Sequence, residues 1–475
     1  MQAVNTNNKC FVVWKNGLKK RIDPYFYKPE FISIDDILRK IKHKKIREIS
    51  LDLKNGSTPR GGVFTKEGIP YFRSQDFNLF DFRIKQYVSP EFHKKISRSA
   101  IKAKDVLLAV VGATLGVVGY VPNNITEGNI NQNVARIRVI DKEIDPKYLA
   151  FFLSSNVGQN LILRNATITT QAYLNNKQLG DIEIPIPPLE IQNKIIKIIQ
   201  SAYDKKADKE KEAENTLNSI GDYVLKALEI KITNLKNKNC FTINSKEVEG
   251  KRLDPKGYLD TPQTILKAIS KSRYKTKTLS ELLETSIAGE WGEDTTLENN
   301  ENYSLVKVLR NTNFDNQGNL NFDDVAERLV ENKKLARVEL KAGDILIEKS
   351  GGSPIQPVGR VALIENLKER FTFSNFLQCF RVKKECLPEY LFCFLKALYG
   401  LNYMEYLQNQ TTGIKNLIME EYLSIPIPVP PIDTQKQLAN EFRNRLKRAN
   451  ELKTEAKNEV EKAKQEVEKI ILGKK

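Results

Sequence analysis

The chain has 475 residues, 40% of them hydrophobic, which is enough for two or three folded domains and argues against a disordered protein. Only two histidines occur, and the five cysteines include no CxxC pair, so histidine catalysis, zinc sites and disulfide scaffolds have little material. The net charge is +17, and residues 1–200 hold 31 Lys and Arg against 18 Asp and Glu, which favours an extended polyanion as the partner.

The apolar segments are too short to cross a membrane. The longest runs, such as residues 106–111, fall far below the length of a membrane span. The first residues also lack the apolar core of a signal peptide. We therefore expect a cytoplasmic protein without a membrane partner.

The first predicted elements form a mixed α/β unit. An amphipathic stretch at 32–49 leads into the loop Asn55-Gly56-Ser57-Thr58-Pro59-Arg60-Gly61-Gly62, rich in Gly and Pro, and then a strand at 69–73. Residues 105–111 predict a second strand, followed by the glycine-rich loop 112–119. These loops are typical of tight turns between strands, and neither the Walker ending nor a GxGxxG is present.

The unit closes with a strand, a helix and a proline motif. Residues 135–139 predict the strand, and 145–153 predict a helix with Pro in its first turn. A polar turn at 167–171 precedes Ile184-Pro185-Ile186-Pro187-Pro188-Leu189-Glu190-Ile191-Gln192. In that motif the last proline suits the first turn of a helix, and the acidic residue favours the positive end of the helix dipole.

The whole order then occurs a second time. The proline motif returns as Ile425-Pro426-Ile427-Pro428-Val429-Pro430-Pro431-Ile432-Asp433-Thr434-Gln435. The interval between paired positions grows from 231 at Arg21/Arg252 to 239 at Asp105/Asp344. We infer that one unit is duplicated, with insertions mostly in the loops.

A long helix follows each proline motif. The first is predicted from Leu189 to about Leu235, with Lys206 and Lys209 interrupting its apolar stripe. The second begins after Pro431 and carries apolar residues spaced by threes and fours, as in a coiled coil. If the halves are related by a pseudo-two-fold axis, these helices pack antiparallel and hold the two units apart as a ruler.

With these motifs the chain resembles the specificity subunits of type I restriction-modification systems. The resemblance rests on the Asn-Gly-Ser-Thr-Pro opening loop of the first unit, the Asp-Val-Leu-Leu/Gly-Ala-Thr strand and loop, and above all the duplicated proline motif. The second unit departs from this pattern, since Ala288-Gly289-Glu290-Trp291-Gly292 replaces the opening loop and Lys349-Ser350 replaces Val110-Val111. It implies double-stranded DNA as ligand, each target-recognition domain reading one half of a split site. It also implies two methyltransferase (modification) subunits and restriction (translocase/nuclease) subunits as partners, with the helices setting the spacer and docking the modification subunits.

The predicted fold class is α/β (α+β), with two duplicated target-recognition domains of small mixed sheets and two long antiparallel coiled-coil helices. The predicted boundaries are 1–188 for the first domain, 189–236 for the central helix, 237–430 for the second domain and 431–475 for the C-terminal helix.

Reading bases requires donors and acceptors on loops above a rigid sheet, with Arg, Asn and Gln suited to bases and Lys, Ser and Thr to phosphates. The loops of both units contain these residue types. The candidates in the first unit are Thr58, Arg60, Arg73, Gln75, Thr114, Thr170 and Gln171, and those in the second are Arg310, Asn311, Lys349, Ser353, Thr412 and Lys415.

We expect no catalytic residues, no metal and no cofactor. Asp23-Pro24-Tyr25-Phe26 is only faintly similar to an amino-methyltransferase loop, and we interpret it as an Asp-Pro turn. The segment from Asp344 to Lys349 has the residue types of a metal-dependent nuclease but not the spacing. Two alternatives stay open here: a self-contained DNA nuclease or methyltransferase with an unrecognised active site, and a coiled-coil scaffold that binds no particular sequence.

Overall fold

The computed structural model describes residues 12–13, 18, 23–38, 40–58, 64–168, 170–233, 235, 237, 240–249, 254–296, 301–351, 356–411 and 413–471. The chain divides into two compact units. Unit 1 comprises residues 1–209 and 454–475, and unit 2 comprises residues 210–453. Among the described residues, no helix is both long enough and apolar enough to span a membrane.

The described residues of unit 1 form eleven strands, arranged in three small sheets. The strands are β1 His43–Lys45, β2 Ser50–Asn55, β3 Phe64–Thr65, β4 Ile69–Phe72, β5 Gln86–Val88, β6 Ala100–Ile101, β7 Val106–Ala109, β8 Val118–Tyr120, β9 Gly128–Ile130, β10 Val134–Val139 and β11 Glu183–Pro185. The helices are α1 Pro29–Leu38, α2 Ile46–Ile49, α3 Pro90–Lys95, α4 Pro146–Ser154, α5 Asn156–Asn165, α6 Asn176–Gly180 and α7 Leu189–Ala227, with 3-10 turns at Pro24–Tyr27, Ser97–Ser99 and Gly112–Thr114.

The central sheet of unit 1 has the order β2-β10-β7-β8 and is antiparallel throughout. A second sheet has the order β3-β5-β4-β9-β6, with β4 and β9 parallel, and β1 pairs with β11. Because β2 and β7 both run antiparallel to β10, they point the same way and end at one edge of the central sheet.

Unit 2 repeats this plan. Its strands are β12 Thr276–Thr278, β13 Leu283–Ala288, β14 Tyr303–Leu309, β15 Ala326–Glu331, β16 Ile345–Glu348, β17 Ser350–Gly351, β18 Val361–Leu363, β19 Phe371–Phe373, β20 Leu377–Val382, β21 Gln408–Thr411, β22 Ile414–Leu417 and β23 Pro426–Pro428. Its helices are α8 Ser245–Val248, α9 Asp260–Ser270, α10 Leu279–Leu282, α11 Asn332–Val338, α12 Pro388–Gly400, α13 Met419–Leu423 and α14 Ile432–Ile471, with 3-10 turns at Pro255–Tyr258, Asn311–Asn313 and Tyr403–Tyr406.

The sheets of unit 2 follow the strand order of those in unit 1, although β3 and β6 have no counterpart strand among the described residues of unit 2. The order β13-β20-β16-β18 corresponds to β2-β10-β7-β8, and β15-β14-β19 corresponds to β5-β4-β9. Unit 2 adds a three-stranded sheet, β17-β22-β21, after the equivalent of β7. The predicted α+β class and the duplication are therefore confirmed.

A buried ion pair is common to the two central sheets. Arg138 Nε lies 2.8 Å from Asp105 Oδ1 in unit 1, and Arg381 Nε lies 2.8 Å from Asp344 Oδ1 in unit 2. Asp105 and Asp344 are buried. The hydrogen bond that each arginine donates to its aspartate raises the pKa of the guanidinium, so both guanidinium groups stay charged. This pair fixes the strand that leads to the glycine loop in each unit.

The glutamine of the proline motif ties the start of α7 to the rest of unit 1. Gln192 is fully buried. Its side-chain oxygen accepts from Asp145 N at 2.9 Å, and Nε2 donates to the carbonyls of Glu143 and Pro187 at 2.7 and 2.8 Å. The amide thus satisfies three backbone groups, two of them between β10 and α4 and one just before α7.

Gln435 does the same at the start of α14 in unit 2. It is also fully buried, accepts from Leu387 N at 2.8 Å, and donates to the carbonyls of Glu385 and Pro430 at 2.9 Å each. From the sequence, the proline motif predicted only the start of a helix. The structure shows that its glutamine is a hydrogen-bonded anchor as well.

Helices α7 and α14 each contribute to both units, and they run antiparallel within each. In unit 2, Arg448 Nη2 lies 3.5 Å from Glu212 Oε1, and Arg445 Nη1 lies 2.9 Å from Ser219 Oγ. Residue numbers therefore increase along α7 while the numbers of the partner residues on α14 decrease, as in an antiparallel pair. In unit 1, Lys209 forms an ion pair with Glu455.

Apolar residues fill the space between the helices, as the coiled-coil pattern predicts. In unit 2, Ala213, Leu217, Ala449 and Leu452 form one cluster. In unit 1, three apolar residues of α7 join the core: Ile195, Ile199 and Ala202. The last turns of α14 add Ala463, Val467 and Ile471 to the same core. Burial of these stripes stabilises the antiparallel pair.

Helix α7 ends before the predicted Leu235. It stops at Ala227 because Glu229 adopts a left-handed conformation with φ 58°. Ile230 N then donates to Leu225 O at 2.8 Å, and Leu228 N donates to Val224 O at 3.1 Å. These bonds cap the last carbonyls of the helix. No glycine signals this end, so the apolar pattern alone overestimated the length.

Candidate nucleic-acid interface

In unit 1, four loops meet at the edge where β2 and β7 end. Ser57 N donates to Ile130 O at 3.0 Å, and Asn131 N donates to Phe72 O at 3.0 Å. These bonds place the loop after β2 beside the loop after β4. Gly56 is required there, because a Cβ would lie 1.9 Å from Ile130 O.

The glycine loop after β7 contacts both the loop after β4 and the segment that contains Gln171 and Ala172. Thr114 Oγ1 donates to Ser74 Oγ at 2.8 Å, which joins it to the loop after β4. Gly112 N donates to Ala172 O at 2.9 Å, and a Cβ on Gly112 would lie 2.7 Å from Gln171 Nε2. With φ at +75°, this position also favours glycine on conformational grounds.

The structure therefore brings the unit 1 candidates to one edge. Arg73 and Thr114 are half-buried, whereas the other described candidates, Thr58, Gln75, Thr170 and Gln171, are exposed. Arg73 Nε donates to the fully buried Asp76 at 3.0 Å, so its guanidinium is held in one orientation. Arg60 lies outside the described residues.

The equivalent edge of unit 2 is built on the same backbone. Arg310 N donates to Asn313 Oδ1 at 2.8 Å, as Arg73 N donates to Asp76 Oδ2 at 2.9 Å in unit 1. A Cβ on Gly351 would lie 2.4 Å from Asn311 Nδ2, so the glycine loop again touches the loop after the strand equivalent to β4.

A buried ion pair supports these loops in unit 2 alone. Glu348 is fully buried, and Arg360 donates to its two oxygens through Nε and Nη2 at 2.8 and 2.9 Å. Burial lowers the pKa of the Arg360 guanidinium, but the hydrogen bond and charge of Glu348 outweigh burial and raise it. The guanidinium of Arg360 is therefore charged.

The Arg360 side chain also binds backbone carbonyls of the neighbouring loop. Nη2 donates to Asn311 O at 2.8 Å, and Nη1 donates to Phe314 O at 2.8 Å. Asn311 Nδ2 in turn donates to Glu348 Oε1 at 3.2 Å. Neither Glu348 nor Arg360 is among the residues predicted from the sequence to form the site. Comparison of the two repeats could have found them, because Glu348 stands where unit 1 has Ala109 and Arg360 stands where unit 1 has Val117.

The two lysines predicted in unit 2 differ in exposure. Lys349 is half-buried, its Nζ lies 3.4 Å from Gln378 Oε1, and burial lowers its pKa. Lys415 is buried, with its Nζ donating to Gln356 O at 3.2 Å, so its ammonium points into the unit. Contact between Lys415 and DNA therefore requires the side chain to move. Ser353 and Thr412 lie outside the described residues.

The segments weighed as enzyme motifs have structural partners. Asp344 and Glu348 are each paired with an arginine, which leaves neither carboxylate free to bind a metal ion. Asp23 accepts from Phe26 N at 3.1 Å and caps a 3-10 turn, as expected for an Asp-Pro turn.

Burial raises the pKa of the Cys386 thiol to about 12, so it stays protonated at neutral pH. Among the described residues, no three or more His, Cys, Asp or Glu are grouped to hold a metal.

Comparisons with known proteins agree with this architecture. The family model for the type I restriction modification DNA specificity domain matches residues 38–219 and 271–462. The EcoBI type I restriction enzyme specificity subunit of Escherichia coli is 30% identical over 159 residues, which is 33% of this chain and 33% of that protein. The match thus spans about a third of that relative's length.

Two further matches cover most of the chain. A protein described as a type I restriction enzyme MjaX specificity subunit, from Methanocaldococcus jannaschii, is 24% identical over 94% of this chain and 97% of its own length. A chain of a solved type I R-M system superposes with a TM-score of 0.52 at 15% identity, covering 90% of this chain and 96% of that one. The resemblance inferred from the proline motif is confirmed, and this chain belongs to the type I restriction modification DNA specificity domain family.

Proposed function

We propose that this chain is the DNA-recognition subunit of a type I restriction-modification complex, with no catalysis of its own, and that each unit reads one half of a bipartite double-stranded site. The observation that carries the proposal is one backbone frame, present twice, with different side chains on the same edge. Two identical readers need identical loops, whereas two different half-sites need different ones.

The frame shares its central strand order and its buried aspartate–arginine pair, and it differs in the loops where it ends. The Asp105–Arg138 pair and the Asp344–Arg381 pair are the same in both units. By contrast, Thr58 in the loop after β2 corresponds to Trp291 after β13, counted from Gly56 and Gly289, which pack on equivalent strand ends. This distribution favours sequence reading over a scaffold that binds any DNA.

Within each unit we assign roles by side-chain chemistry. Gln75, Gln171 and Asn311 have the paired donor and acceptor that suit a base edge, above all adenine. Arg73 and Arg310 suit guanine, and each is oriented by a carboxylate, Asp76 or Asp324. The remaining candidates suit phosphate contacts, which position the duplex; they are Thr58, Arg60, Thr114, Thr170, Lys349, Ser353, Thr412 and Lys415.

The partners follow from the family. We propose that two modification subunits dock on the helical parts of the chain and that restriction subunits join through them. The antiparallel pair of α7 and α14 presents Lys, Glu and Asp on its outer faces, a surface suited to polar contacts with such subunits.

The proposal predicts a split recognition site. DNA from cells that carry the chain with its modification subunits should be methylated at sites with two defined halves separated by bases of any identity. The purified chain alone should neither cleave DNA with Mg²⁺ nor transfer a methyl group from S-adenosylmethionine. A continuous site, or activity of the isolated chain, would contradict the proposal.

We further propose that helix length, and not a base contact, sets the spacer. Four residues inserted near Glu210 to Glu214 keep the helix face nearly in register and add about 6 Å, while B-DNA rises about 3.4 Å per base pair. The spacer should therefore lengthen by one or two base pairs with both half-sites kept. A single inserted residue rotates the face by about 100° and should disrupt packing of the Leu217 face. An unchanged spacer in a folded four-residue variant would rule out this role.

A further inference from the structure

Both units carry the same short run of exposed cations. We name these runs the basic triplets. They are Lys94, Lys95 and Arg98 in unit 1, and Lys333, Lys334 and Arg337 in unit 2. Each pair is separated by 239 positions, the interval that also separates Asp105 from Asp344, so the two runs correspond without a gap.

The local structure presents the triplets to solvent. In unit 1 the triplet lies on α3 and the 3-10 turn Ser97–Ser99, and in unit 2 it lies on α11. All six cationic side chains are exposed. The inward positions are buried instead: Ser99 Oγ donates to Asn129 Oδ1 at 3.1 Å in unit 1, and Leu335 and Val338 enter the core of unit 2. Each segment is thus anchored on one face while its cations point outward.

Each triplet adjoins the edge that carries the reading loops. Arg98 Nε donates to Ser57 Oγ at 3.3 Å. Lys334 Nζ lies 3.6 Å from Glu290 Oε1. Ser57 and Glu290 occupy the same place, directly after Gly56 and Gly289. The triplets therefore flank equivalent loops in the two units.

Packing does not account for six exposed cations. Lys94, Lys95, Lys333 and Arg337 form no ion pair with any residue in the part of the chain that the structure describes. Exposed charges of this kind contribute little to stability. The neighbouring loops have diverged, yet the triplets have kept both charge and spacing. A ligand feature that is the same at both half-sites explains this retention.

We propose that each basic triplet binds the phosphate backbone of the DNA beside the half-site that its unit reads. Phosphates carry the same charge whatever the sequence, so a contact to them does not diverge when the bases read by the two units differ. This inference rests on the proposed function and names contacts that position the duplex in both units.

The test is the salt dependence of DNA binding by the full-length chain in complex with its modification subunits. The probes are a duplex containing the mapped site and a duplex of shuffled sequence. In Lys94→Gln/Lys95→Gln/Arg98→Gln, the slope of log K against log salt should shrink by about three, and affinity at 0.15 M salt should fall on the order of 100-fold. The ratio of affinities for the two duplexes should stay as in the parent.

A charge-matched pair of double variants controls for net charge. Lys94→Gln/Lys333→Gln removes one triplet lysine from each unit and should reduce the slope by about two. Lys142→Gln/Lys384→Gln removes two exposed lysines just past β10 and β20, at the opposite edge of each central sheet, and should leave the slope unchanged.

Three results would overturn the inference: an unchanged slope in the triplet variants, an equal loss in the control, or a lost preference for the mapped site, which would make the triplets base readers. Failure of the proposed function is distinct, since the parent complex would then show no preference between the two duplexes.

Discussion

The glycine loops of the two units rest on different supports. In unit 1 the strand pair under the loop carries Ala109 and Val117, whereas in unit 2 the same places hold Glu348 and Arg360, joined by two hydrogen bonds of 2.8 and 2.9 Å. Arg360 then reaches two carbonyls of the adjoining loop. The difference teaches that a duplicated frame can diverge beneath its loops as well as in them.

The largest expected effect comes from removing Arg360. Arg360→Ala leaves the fully buried Glu348 carboxylate without its cation, which costs about 3–5 kcal/mol. We expect a lower urea midpoint for the transition of unit 2 and a loss of discrimination at one half-site only. Methylation mapping and urea unfolding measure the two effects.

A matched double variant sharpens the comparison. Glu348→Ala/Arg360→Val gives unit 2 the residue types of unit 1 and removes both buried charges, so it should be more stable than Arg360→Ala. It still lacks the bonds to Asn311 O and Phe314 O, so the half-site read by unit 2 should stay relaxed. Full specificity in the double variant would show that the ion pair serves stability alone.

A smaller effect, equal in both units, is expected at the motif glutamines. Gln192→Ala and Gln435→Ala each leave three backbone groups without partners, and each buried group costs about 1–3 kcal/mol when unsatisfied, less where water enters. The two variants should lower the unfolding midpoint by similar amounts. A large cost in one unit and none in the other would mean that the shared geometry is not equally used.

The smallest effect is expected at Lys349, which has Val110 at the equivalent position. Lys349→Ala should reduce the salt slope of DNA binding by about one and keep the sequence preference, if its ammonium contacts a phosphate. Val110→Ala provides the matched variant in unit 1 and should leave the slope unchanged. A relaxed preference with an unchanged slope would assign Lys349 to base reading instead.

The sequence predicted the backbone frame well because short local patterns of residues determine it. A Cβ on Gly56 would clash with Ile130 O, Gly112 has a φ of +75° that favours glycine, and the prolines before Leu189 fix φ for a helix start. The duplication shows each of these signals twice. Apolar spacing indicated two long helices with coiled-coil stripes, and the duplication indicated that they run antiparallel. The end of α7 escaped prediction because Glu229, and not a glycine, adopts the left-handed cap.

The site was harder to predict because it depends on contacts distant in sequence. Nothing local to Lys415 indicates that its ammonium turns inward to Gln356 O. The pairing of Glu348 with Arg360 becomes visible only when the two units are aligned through their strands. Residue type selected loops whose described members lie at one edge of the sheet in unit 1, while the register between strands decides which of their side chains are exposed.

The most direct test of independent reading by the two units is an exchange of residues 45–180 for the corresponding segment of another member of the family. Methylation mapping of cells carrying the chimera should show one half of the site changed, with the other half and the spacer as in the parent. If both halves change together in a folded, active chimera, the units do not read independently, and the account is wrong.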